Sequence, residues 1–168
     1  MTLEQLNELT PQDAETEFLK CCGSPAWAQA MAAGRPFATA EELFTEADDA
    51  SASLTDEDWL EAFRAHPKIG EQKAMTVQSQ QEQSWSSQEQ LAMQSASADI
   101  VAQLAAGNYE YEKKFGFIFI VCASGKSSDE MLAILNNRLD NDPRTELSEA
   151  AQEQRKITRL RLEKLLKP

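Results

Sequence analysis

Two hydroxyl–proline pairs, Thr10-Pro11 and Ser24-Pro25, constrain this chain more firmly than any apolar pattern does. A serine or threonine side chain accepts from the unpaired N–H groups of a helix start. Proline, with no N–H and a helix-compatible φ, loses nothing at the first helical position. Gly23 and Gly34 stand where each of these helices should stop. Thr39 with Glu42, and Thr55 with Asp58, read as capping boxes, each residue satisfying a backbone N–H of the other. The helix opened by Thr55 turns Trp59, Leu60 and Phe63 toward a core and runs into His66, the only histidine.

The helical pattern fades in "KIGEQKAMTVQSQQEQSWSS", where glutamine and serine dominate. A loop longer than about 12–15 residues in a compact domain is often functional or mobile. Beyond it, "SSQEQLAMQSASADIVAQLAAG" reads as one helix, or two joined by a kink, closed by Gly107, and "NYEYEKKFG" as another. The apolar run "FIFIVCA", residues 117–123, is strand-like but has no second strand to pair with. Periodicity leaves it as a buried extended segment or a buried turn of helix. With "SSDEMLAILNNRLDN" and "TELSEAAQEQRKITRLRLEKLL" the expectation is an all-α fold. It is a single compact multi-helix domain over residues 1–168, with one short buried extended segment near 117–123.

Sixteen basic against 28 acidic residues give a net charge of -12, which repels nucleic acid and anionic membrane surfaces. No apolar run approaches the ~18 residues of a membrane span, and the N-terminus lacks a basic region followed by an apolar one. The C-terminal "LEKLLKP" is no peroxisomal tripeptide. A cytoplasmic protein with no nucleic-acid or membrane partner is expected. Three cysteines, Cys21, Cys22 and Cys122, cannot all pair and fit no zinc spacing, so they read as buried or free thiols.

"SGKSS", residues 124–128, looks like the tail of a phosphate-binding loop, but the glycine that motif needs upstream is replaced by Ile120. A turn before a helix capped by Ser127 or Ser128 is the better reading. His66 ends a helix, where a cation suits the helix dipole. Pro67 also pushes it out of helical geometry, so the imidazole can project into a groove as a proton-transfer group. One histidine with scattered cysteines is no metal-ligand set.

Ser86 and Glu89 form a capping box by themselves. The same helix start also offers an anion its free N–H groups, with a carboxylate and the amides of Gln88 and Gln90 alongside. On a wheel of about 100° per residue with Leu147 at zero, Ala151, Leu162 and Leu165 share a face, and Ala150 and Ile157 sit at its edge. Arg161 falls inside this apolar sector beside Gln154 and Thr158. It either snorkels past the core, joins a buried ion pair or binds an anion.

Taken in order, "HPKIG", "SSQEQ", "KFGFIFIVCASGK" and "EQRKITRLRLEKLL" resemble the family of decarboxylases of 2-oxo-4-hydroxy-4-carboxy-5-ureidoimidazoline (OHCU) in urate breakdown, across essentially the whole chain. The resemblance implies cofactor-independent, metal-free loss of carbon dioxide from OHCU, giving (S)-allantoin, by a cytoplasmic homodimer. It places the catalytic histidine at His66, with Pro67 lining the site beside it. Glu89 becomes the carboxylate of a substrate-binding block formed by Ser86, Ser87, Gln88, Glu89 and Gln90. Phe119, Ile120, Val121, Cys122 and Ala123 match the block whose backbone contacts the ureidoimidazoline ring. Arg161 matches an arginine for the substrate's charged group. Lys68 stands where arginine is also frequent, and the positive charge is kept.

Whether His66 gives or takes the proton is left open, since both roles need the same reach. Without the resemblance, the residues favour a non-catalytic acidic helical interaction domain. The enzyme reading predicts that His66, Glu89 and Arg161 line one pocket. A hydrolase for the preceding hydroxyisourate step is disfavoured, because several histidines and a β-rich fold are expected there.

Overall fold

Every helix start that the sequence marks with a hydroxyl has that hydroxyl as its N-cap wherever the structure, a computed structural model, describes it: residues 1–68 and 97–167. The glutamine-rich loop and the block from Ser86 to Gln90 lie outside the described residues. Those described form eight helices and no strand. The chain divides into two compact units, Met1–Ala65 with Gln154–Pro168, and His66–Glu153.

The first unit holds α1 (Leu3–Glu8), α2 (Pro11–Cys21), α3 (Pro25–Ala33), α4 (Ala40–Ala52) and α5 (Asp56–Arg64), together with the C-terminal part of α8 (Pro143–Leu165). Helix α3 packs against α2, α4 and α5. Trp27 lies fully buried, its indole N–H donating to the Ala47 carbonyl at 3.1 Å and its ring edge-on to Phe18 at 6.0 Å. Such aromatic pairs add to the large apolar area each ring removes from water. After α2 the chain turns at Gly23, where a Cβ would sit 2.3 Å from the Cβ of Ala65. Only a residue without a side chain lets those two segments approach so closely.

Three details depart from the sequence reading. Helix α1, which apolar periodicity does not reveal, starts at a Thr2–Gln5 capping box and buries Leu6. Arg35 donates to the Leu6 and Leu9 carbonyls at 2.7 and 2.9 Å, supplying partners for a helix end too short to be stable alone. At α4, Thr39 accepts from Glu42 N–H, but the Glu42 carboxylate takes the N–H of Ala38 at 2.6 Å, so the reciprocal bond lands one residue early. Leu60 is only half-buried, while Trp59 and Phe63 enter the core.

The second unit contains α6 (Ala98–Phe115), α7 (Ser128–Arg138) and the start of α8. Gly107 does not close a helix: α6 runs through it to Phe115 and ends at Gly116, whose φ of 79° is the left-handed cap that glycine adopts freely. A Cβ at Gly107 would meet Leu135 Cδ2 at 2.6 Å, so this glycine allows α6 and α7 to pack closely. Helix α8 starts at Pro143, earlier than Thr145, because the Asp142 carboxylate accepts from the N–H groups of Arg144 and Thr145 at 3.0 and 3.1 Å. This is again a capping side chain followed by proline. Residues 117–123 are neither helix nor strand, and all but Ile118 are buried.

Candidate functional site

His66 follows α5, whose terminal carbonyls at Ala62 and Phe63 accept from the Ala65 N–H, and is only 7 % exposed. The helix ends before it, as Pro67 requires. Lys68, at the end of the same short segment, forms an ion pair with Glu112 of α6 at 2.7 Å. The residues flanking the imidazole are therefore tied at two places, by the close Gly23–Ala65 approach and by Lys68.

The run from Phe119 to Ala123 has no sheet to satisfy its backbone, and charged side chains do part of that work. Arg138 Nη1 donates to the Ile120 carbonyl at 2.6 Å, and Cys122 N–H donates to Glu153 Oε2 at 2.7 Å. The Cys122 carbonyl accepts from Lys126 Nζ at 2.7 Å, and the Ala123 carbonyl from Lys126 N–H at 3.1 Å. Val121, between the first two bonds, is buried, and among the described residues its main-chain N–H and C=O meet no hydrogen-bond partner. Buried backbone polar groups normally find a partner in protein, water or ligand.

Behind this segment lies an ion network that the sequence reading missed. Glu146, 0 % exposed, accepts from Arg138 Nε at 2.8 Å, from Arg138 Nη2, from the Tyr111 hydroxyl and, through Oε2, from Asn141 at 2.8 Å. The Arg138 guanidinium also lies 4.9 Å from the centre of the Phe119 ring. Burial pushes the Tyr111 hydroxyl well above its ordinary range; Arg138 opposes the shift and Glu146 adds to it. A paired charge with this many donors meets the condition under which a carboxylate is tolerated inside a protein.

A sector centred on Leu147 leaves Glu146 outside it, whereas Leu147 is only half-buried, as is Ala151. The buried face of α8 runs through Glu146, Ala150, Gln154, Ile157, Thr158, Arg161, Leu162 and Leu165. Counting Glu146 as interior would have located the network, yet nothing in a single sequence marks a glutamate as buried. Arg138 was equally hidden, since an arginine in the last turn of a helix is ordinary.

Arg161 points inward as expected, at 8 % exposed, with Gln154 and Thr158 buried on the same face. Its Nη1 donates to the Lys20 carbonyl at 3.4 Å, in the last turn of α2, where carbonyls lack helical partners. Beside it, burial raises the Cys21 thiol well above its ordinary value and pushes Cys22 up to about 11. The positive charge of Arg161 opposes both shifts. All three cysteines are buried, and none is in a disulfide among the described residues.

His66, Pro67 and the block from Phe119 to Ala123 belong to one unit and Arg161 to the other. The expected shared pocket includes Glu89, which is outside the described residues. Among the described residues no three His, Cys, Asp or Glu side chains gather as a metal site. Nor is any described helix long and apolar enough to cross a membrane.

The model of the OHCU decarboxylase family matches residues 7–163. The chain is 42 % identical over 151 residues to an Arabidopsis thaliana protein described as the uric acid degradation bifunctional protein TTL, covering 90 % of this chain but 47 % of that one. It thus spans about half the length of that relative. It is 30 % identical to the 2-oxo-4-hydroxy-4-carboxy-5-ureidoimidazoline decarboxylase of Amia calva, over 99 % of this chain and 95 % of the other. A crystal structure of OHCU decarboxylase in the presence of (S)-allantoin superimposes with a TM-score of 0.77 at 42 % identity, covering 89 % of this chain and 96 % of that chain. With the all-helical fold and a match through both units, the chain belongs to the OHCU decarboxylase family.

Proposed function

We propose that this chain is a carboxy-lyase that removes carbon dioxide from OHCU and leaves (S)-allantoin, a step in urate degradation. The observation that carries this reading is the family match over residues 7–163. We further take the whole chain to work as one catalytic domain, as a homodimer in the cytoplasm. The match running through both units and the absence of a membrane-crossing helix among the described residues agree with this.

In the reaction the bond between the carboxylate and its ring carbon breaks. Its electron pair forms a double bond to the neighbouring, ureido-bearing carbon and pushes the carbon–nitrogen π pair onto nitrogen, which is protonated. The ureido-bearing carbon then takes a proton while the hydroxyl on the decarboxylated carbon gives one up and becomes the carbonyl of allantoin. The imidazoline is its own electron sink, so the protein has to hold the substrate and choose the face that receives the proton. His66 is the acid or base, because an imidazole titrates near neutral pH and can serve in either direction. Arg161 binds the substrate's anionic group, where preorganised donors favour charge that grows in the transition state.

Ser86, Ser87, Gln88, Glu89 and Gln90 form the substrate-binding helix start, with Glu89 orienting the substrate or the imidazole. Pro67 lines the site beside His66. The main chain from Phe119 to Ala123 contacts the ring, and the buried Val121 peptide groups support that assignment.

The test supplies urate, urate oxidase and hydroxyisourate hydrolase, then follows the optical activity of the allantoin formed. Because OHCU also decays unaided, a rate and stereochemistry equal to the enzyme-free control would overturn the reading in favour of a non-catalytic domain. In an active protein, His66→Asn should lower kcat by about 100-fold or more while the fold is kept. Wild-type turnover in that variant would remove His66 from the mechanism.

A further inference from the structure

We propose that Arg138 and Glu153 are positioning residues, which set the main chain of Phe119–Ala123 for the substrate without touching it. This rests on the reading above, in which that main chain contacts the ring. Each acts at one point of the segment: Arg138 on the Ile120 carbonyl at 2.6 Å and Glu153 on the Cys122 N–H at 2.7 Å.

The two bonds bracket Val121, so turning either of its flanking peptide planes breaks one of them and leaves a buried peptide group without its partner, which is costly. Neither anchor is loose. The Arg138 fork is fixed on its other edge by Glu146, which is itself held by Tyr111 and Asn141, and its face lies over Phe119. Helices α6, α7 and α8 thereby converge on one peptide carbonyl. A sheet would hold such a segment by a ladder; here two side chains from separate helices replace it. Small displacements of a binding group weaken the hold on the substrate far more than they cost in stability, which is why such support matters.

Glu153 is the better residue to test, since it is half-buried and outside the Arg138–Glu146 pair. Glu153→Gln keeps an acceptor oxygen at the same reach and drops the charge. Glu153→Asp keeps the charge and withdraws the oxygen by one methylene. If Glu153 positions the backbone, Gln retains the wild-type KM, and Asp raises KM about tenfold with kcat changed by less than about threefold, because uniform binding is lost. Amide exchange at Cys122 should accelerate in the Asp variant and not in the Gln variant.

The opposite order, with Gln defective and Asp normal, would show that the charge acts and not the bond, and would overturn the proposal. So would wild-type KM in both variants of an active protein. A wild-type chain that leaves allantoin racemic overturns the decarboxylase reading itself, and the substrate-positioning role with it.

Discussion

The two units solve the problem of a core by different chemistry. In the first, Leu6, Phe18, Trp27, Met31, Leu43 and Phe63 fill the space between helices whose starts are capped by their own neighbours in sequence. In the second, Leu104, Met131 and Leu135 pack in the same way, but beside them a non-helical run depends on Arg138, Glu146 and Glu153. Helix hydrogen bonds are made within a segment, whereas an unpaired backbone must borrow partners from elsewhere. Apolar packing thus carries most of the first unit, where Arg161 is also buried, and a buried ion network enters the second, where the backbone is not all helical.

The sharpest way to break this contrast is Arg138→Met. It strands the fully buried Glu146 carboxylate, and losing one partner of a buried pair costs about 3–5 kcal/mol. Urea unfolding should show that loss, and replacing Arg138 and Glu146 together by apolar residues should recover part of it. Full stability in the single variant would mean that the network contributes nothing.

Next in size are the glycines at the close approaches. Gly23→Ala forces a Cβ against Ala65, whose own atoms cannot swing away, and overpacking of this kind costs about 1–3 kcal/mol. The strain falls on the residue before His66, so kcat should drop along with the melting temperature. Gly107→Ala meets the end of the Leu135 side chain and gains up to about 1 kcal/mol of helix propensity, so its net loss should be smaller and kcat should hold. An equal loss of activity in both variants would erase the distinction.

The smallest effect is on the pH profile. Cys22 in the folded state holds its proton up to about 11, against an ordinary 9.0. Between those values the unfolded chain releases a proton that the folded chain keeps, so stability falls as pH rises through this window. Cys22→Ala should flatten part of that fall in thermal melts, and an unchanged slope would show that the thiol does not contribute.

Much of the fold was legible because helix boundaries are local. Thr10-Pro11, Ser24-Pro25 and Thr55 with Asp58 act within one turn, and the capped helices follow them. Errors came where a residue had two local meanings. Gly107 reads as a helix stop, yet serves a contact with Leu135 from a different helix. Glu146, which no pattern in the sequence singles out, is fully buried in the first turn of α8. His66 and Arg161 were legible as candidates, one from its proline and one from its place on the wheel; Arg138 and Glu153 gave no signal at all.

The sequence alone determined that the chain is helical, where most helices begin, and, by the order of its blocks, which family it belongs to. Capping and patterning act over three or four residues and so survive without a structure. Only the tertiary structure decided how the run from Phe119 to Ala123 is held. Its partners, on α7 and α8, lie 18 and 31 residues away in sequence. Contacts at that separation depend on how helices pack, and local chemistry does not encode which distant charge will arrive.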